Sequence, residues 1–167
     1  MRFSVFFVTV AATLPTVHAA TADDCSEVRA ATLAGVSRPY AASIKIEHAD
    51  DLPTISHVVM TGDRMYVEMH RVWNATPMTT QQLIDRVNKA SLKDQLVCRR
   101  GGEETIDGGA AMIYDVEDHT PARASKSRIW IAKANGLPLK TVVQLGGGDV
   151  MTSMFDYDHV QVPAAAH

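Results

Sequence analysis

A chain of 167 residues with a formal charge of −3, 46% apolar and 21% charged residues suits one domain with a single core. That charge argues against a dedicated nucleic-acid binder, which would usually show a basic surface. The same sequence lacks a Gly-rich phosphate loop, a His-Glu-x-x-His helix and a Gly-x-Ser-x-Gly elbow, which sets aside the enzyme classes those motifs mark.

Met1–Ala19 has the three parts of a secretory leader: Arg2, the apolar run Val5–Leu14, and Pro15 followed by Val17-His18-Ala19. Cleavage after Ala20 fits nearly as well as after Ala19. The apolar run is shorter than the ~20 residues a membrane helix needs. The leader predicts export, to a periplasm. The remainder keeps all 19 acidic residues and loses only Arg2 among the 16 basic ones. It is read as one domain over residues 20–162, a monomer needing no cofactor or metal, with a disordered tail at 163–167. Cys25 and Cys98 then meet an oxidising compartment, where disulfides persist. A bond between them closes a loop of roughly 70 residues, worth about 3–4 kcal/mol on the chain-entropy estimate. There is no Cys-x-x-Cys and no nearby histidine cluster to favour a redox or metal role.

In chain order, Asp23–Ala34 reads as a helix with an aspartate cap, a thin apolar face (Val28, Ala31, Leu33) and Gly35 as its stop. Ser43–Glu47 alternates as a half-buried strand. Thr54–Met60 and Arg64–His70 flank Thr61-Gly62-Asp63 as a hairpin, with Met65, Val67 and Met69 on one face of the second arm and Tyr66, Glu68 and His70 on the other. Thr79–Leu92 is the clearest helix, opened by Thr79-x-x-Gln82, a capping box. Strands follow at Leu96–Arg99, Glu103–Ile106 and Ala111–Glu117, with a turn or bulge at Gly101-Gly102. Ser127–Lys133 and Leu137–Leu145 are joined at Asn135-Gly136, a hairpin signal. Gly146-Gly147-Gly148 turns the chain into a last strand, Val150–Val160. The fold class is α+β: a single curved antiparallel sheet, an unclosed half-barrel, covered by helices.

No histidine has a partner at metal-ligand spacing. His57 and His70 facing one another across the hairpin, and Asp156, Asp158 and His159 on the last strand, read as solvent-facing residues rather than a metal or catalytic site. Methionine is the unusual component. Met60, Met65, Met69, Met78, Met112, Met151 and Met154 follow the leader, and methionine adapts to varied apolar partners. Met60, Met65, Val67, Met69, Trp73, Met112, Trp130 and Phe155 are the candidate lining of an apolar cavity between sheet and helix. Alternation puts Trp130 opposite Ile129 and Ile131 without saying which side is concave.

The stretch Arg128-Ile129-Trp130-Ile131-Ala132-Lys133-Ala134-Asn135-Gly136-Leu137-Pro138-Leu139-Lys140 resembles the Trp-Ile strand and Gly-Leu-Pro turn of the periplasmic lipoprotein-carrier superfamily, the LolA/LolB-like proteins and related outer-membrane lipoprotein-sorting proteins. Phe155–Pro163 is similar to their closing strand. The resemblance implies an unclosed barrel with a helical lid over an apolar cavity, binding acyl chains of lipoproteins or other lipids without catalysis, with peripheral contact to envelope membranes. Among the carriers an arginine releases the acyl chain; Arg64 and Arg71 are candidates here by position alone. The rival readings are an envelope protein-interaction or sensor module on the same fold and, less favoured for want of a nucleophile–base pair, a small hydrolase.

Overall fold

The computed structural model describes residues 22–91, 96–120 and 125–164. The leader, and the last three residues of the expected tail, lie outside them. Helix α1 (Ala22–Val36) precedes four strands, β1 (Tyr40–Glu47), β2 (Thr54–Thr61), β3 (Arg64–Met69) and β4 (Val72–Thr76). Helix α2 (Thr80–Ser91) follows, then β5 (Leu96–Ile106), β6 (Gly109–Asp118), β7 (Ser125–Ala132), β8 (Pro138–Gln144) and β9 (Val150–Asp156). All nine strands form one antiparallel sheet in the order β4-β3-β2-β1-β9-β8-β7-β6-β5. It is a curved, unclosed α+β sheet, as expected. Two meanders run outward from the centre, where β1 pairs with β9, and α2 links the outermost strands β4 and β5.

The capping box at the start of α2 forms both ways: the Gln82 N–H donates to Thr79 Oγ1 (3.2 Å) and the Thr79 N–H to Gln82 Oε1 (3.0 Å). α1 turns Cys25, Val28, Ala31 and Gly35 toward the sheet, a spacing of three and four that makes one helical face. Val28 and Ala31 join Cys98, Tyr114, Val116 and Ile131 in the main core cluster, with Cys25, Met112 and Ile129 packed against it. Cys25 and Cys98 are joined, with Cα atoms 5.1 Å apart. Gly35 does not end the helix, which runs one residue further. Its role is close approach: a Cβ there would sit 2.8 Å from Tyr157 Oη and 3.1 Å from Pro138 Cδ.

Other boundaries moved for identifiable reasons. β4 was not expected, because the turn before it is His70-Arg71, two non-glycine residues held at φ 51° and 65° in the left-handed region that turn chemistry assigns to Gly or Asn. His70 therefore lies in that turn and not opposite His57, which pairs with Glu68. β9 stops four residues early because the Asp156 carboxylate accepts the N–H groups of Asp158 (2.9 Å) and His159 (3.0 Å) and turns the chain. Asp156 thus ends the strand and caps the turn that holds Asp158 and His159, which are not on a strand face. The Asn135 side chain accepts from the Leu137 N–H at 3.0 Å, and only Gly136 of the pair has positive φ, so the β7–β8 connection is longer than a two-residue hairpin. Gly101-Gly102 is a bulge within a continuous β5.

Candidate functional site

The register settles which side chains share a face, because directly opposed residues of neighbouring strands point the same way. α1 touches Cys98, Tyr114 and Ile131, so their side of the sheet is the helix face. Following the pairs outward, Phe155, Ala42, Val58 and Val67 form one row on it, Tyr40, Met60 and Met65 a second, and Met151 and Ile46 a third. Ile44 and Met69 belong to the same face. Of the candidate lining residues, Met60, Met65, Val67, Met69, Met112 and Phe155 share the helix face. Met112 alone of these lies on the α1 side, in β6.

Trp130 and Trp73 are on the opposite, outer face. Ile129 and Ile131 pack toward α1, which sends Trp130 outward. There its indole N–H donates to Glu104 Oε2 (2.7 Å) and Lys140 Nζ sits 4.5 Å from the ring centroid. Trp73 pairs with Glu68 in a row that includes His57.

The helix face has two finishes. In the β5–β8 half, α1 buries Cys98, Tyr114, Val116 and Ile131 and leaves Met112, Ile129 and Val143 half-buried. In the β1–β4 half, Ile44, Ile46, Val58, Met65 and Val67 are only half-buried, Met69 is 57% exposed, and Met60 and Ala42 alone are buried on that face. α2 lies against α1, with the Arg29 guanidinium donating to Asn88 Oδ1 (3.2 Å), and its apolar residues Leu83, Ile84 and Val87 are half-buried. The outcome is an apolar patch of about half a dozen side chains, bounded by the aromatic cluster Tyr40, Phe155 and Tyr157, whose ring centroids are 5.9–6.5 Å apart. Burial pushes the Tyr40 and Tyr157 hydroxyls up in pKa. Ile44, Ile46 and Met151 were not among the expected lining residues. The alternation of Ser43–Glu47 already put Ile44 and Ile46 on one face; the missing information was that β9 would pair beside them.

A second concavity runs along α1. It is a groove of about 540 Å³ floored by Ala30, Ala31, Ala34, Met112 and Ile131 and edged by Glu27, Arg100, Tyr114 and Lys133. Its polar edge is internally matched. The Tyr114 hydroxyl donates to Glu27 Oε2, Arg100 Nη2 reaches both Glu27 oxygens (2.8 and 2.6 Å), and Lys133 Nζ meets Glu103 at 2.6 Å. The Tyr114 hydrogen bond, then Arg100, holds the Glu27 carboxyl below the usual range. Burial, then Glu27, pushes Tyr114 up to about 12. Among the described residues no three His, Cys, Asp or Glu side chains are placed to share a metal ion, and no helix is long and apolar enough to cross a membrane. Arg64 and Arg71 are both exposed, at opposite ends of β3.

No protein-family model and no curated protein matches the sequence. Solved structures do. The Mycobacterium tuberculosis lipoprotein LppX superposes with a TM-score of 0.51 at 13% identity, over 83% of this chain and 97% of LppX. LprF from Mycobacterium bovis gives 0.52 at 8% identity, over 89% and 100%. MucB in the Pseudomonas aeruginosa MucA/MucB complex gives 0.52 at 13% identity, over 84% of this chain but 62% of MucB. This chain shares the fold of LppX, LprF and MucB. At such identities the likeness concerns the fold, and a fold leaves cargo undetermined.

Proposed function

We propose that the protein is an exported binding protein of the cell envelope, without catalytic activity, whose β1–β4 helix face takes up an acyl chain of a lipid or of a lipidated protein. The observation that carries this reading is the unsealed patch around Val58, Met65 and Val67. Apolar area removed from water is worth about 25 cal/mol per Å² before ordering costs, and flexible methionines conform to a chain of variable shape. LppX, one of the proteins of like fold, is a lipoprotein. Two matched ion pairs at the α1 groove leave the unsealed patch as the better acyl site.

Titrating a fluorescent fatty-acyl probe into the exported protein tests this. Saturable micromolar binding is expected, weakened at least fivefold by Val67→Gln with the unfolding midpoint nearly unchanged. Absence of saturable binding removes the lipid reading. The second reading, a protein-interaction module, would then stand; it draws support from MucB, which has been solved in complex with MucA.

A further inference from the structure

The exposed apolar side chains are not scattered. Among the described residues the large exposed ones are Leu52, Ile55, Met69, Val72, Leu96, Leu145 and Val162, and all but Val162 sit at one end of the sheet. Leu52 is in the β1–β2 connection, with Ile55 just inside β2. Met69 and Val72 are the pair closing the β3–β4 hairpin. Leu96 begins β5 opposite the last residue of β6, and Leu145 follows β8 directly. Leu52 is 82% exposed and Val72 54%. At the other end, the turns at Gly62-Asp63, Asp107-Gly108 and Lys133–Gly136 carry no exposed large apolar side chain among the described residues.

We infer that the apolar end docks on the surface of a zwitterionic phospholipid bilayer. Four separate chain segments each offer an apolar side chain at a single end, an arrangement suited to a broad apolar boundary more than to a groove on another protein. The fixed charges point away from an anionic surface: the described residues of the connections at this end hold Asp50, Asp51 and Asp149 against Arg71. The chain also enters the domain here. α1 begins beside Cys98, three residues into β5. Finally, Met69 belongs both to this end and to the unsealed helix face, so the two apolar surfaces are continuous.

The docking does not depend on the acyl cargo, and the test separates them. The exported protein is floated with phosphatidylcholine vesicles at 0.15 M and 1 M salt. Co-flotation is expected at both, with a loss of about tenfold or more on replacing Leu52→Ser, Val72→Ser and Leu145→Ser together, and none on Asp107→Ser at the opposite end. Because the three positions are exposed, circular dichroism should show the triple variant folded, and it should keep acyl-probe binding that Val67→Gln weakens. Failure of the wild type to float, flotation that needs anionic lipid and vanishes at 1 M salt, or a dimer that the triple variant abolishes would each overturn the docking while leaving the acyl-binding result to stand or fall by the probe.

Discussion

Tyr114 and Val67 occupy equivalent places, each in the middle of a strand and on the same face of one sheet, yet the first is 3% exposed and the second only half-buried. The difference comes from what lies above them. α1 covers β5–β8 through Val28 and Ala31, comes close because Gly35 has no side chain, and is fastened by Cys25–Cys98. Among the described residues nothing comparable covers β1–β4, although its strands alternate as cleanly. Alternation therefore earns a strand an apolar face, while burial of that face depends on where a helix is tied down. The sealed half is read as framework and the unsealed half as the working surface.

Breaking the tie tests this contrast most severely. Replacing both Cys25 and Cys98 with Ser should cost about 4 kcal/mol, since the bond closes 73 residues. Urea unfolding of this variant against the oxidised wild type measures it; an unchanged midpoint would show that α1 holds its place without the bond. Next in size is a pair of truncations. Ile131→Ala in the sealed half should cost about 2–4 kcal/mol, and Val67→Ala in the unsealed half under about 1 kcal/mol, because half-exposed methyl groups lose little on removal. Equal costs would mean that both halves are core, and the contrast would collapse.

The smallest effect is electrostatic. Glu27 has a folded pKa depressed by Tyr114 and Arg100, so its stabilisation is complete above the unfolded value of about 4.3 and disappears as pH falls through the lower folded value. Glu27→Gln should flatten the acid side of the melting-temperature profile below about pH 4.3 and leave the shape near neutrality alone. Tyr114 works in the opposite direction. With its pKa raised to about 12, its contribution is full below the unfolded value of about 10 and fades as pH climbs toward 12. An acid limb identical in wild type and Glu27→Gln would show that the Glu27–Tyr114–Arg100 cluster does not anchor α1.

Much of the architecture was legible in the residues. The capping box at Thr79–Gln82, the Thr61–Asp63 turn and the pairing of two cysteines are local or arithmetical signals, and local chemistry decided them; at Gly101-Gly102 the residues left turn and bulge open, and the ladder makes it a bulge. The outward direction of Trp130 was not legible. Period-two alternation opposes it to Ile129 and Ile131, but only the seat of α1 says which side is in. β4 was hidden because the turn leading to it uses strained non-glycine residues, and the end of β9 because one aspartate side chain competes with the ladder. Of the site, the shared face of Met65, Val67 and Met69 follows from β3 alone. Its continuation into Ile44, Ile46 and Met151 needs the β1–β9 pairing, which no window of sequence contains.

That pairing has a kinetic consequence. Ile44 lies against Ser153 and Ala42 against Phe155, so the centre of the sheet is stitched from the first strand and the last. Each meander can assemble from neighbouring segments as the chain emerges, but β1 and β8 are left as bare edges until β9 arrives, and non-local closure of this kind is slow. A nascent chain threading N-terminus first would carry two incomplete sheets, each with a raw border open to intermolecular pairing. Its most aggregation-prone interval would end only when nearly the whole polypeptide has been delivered.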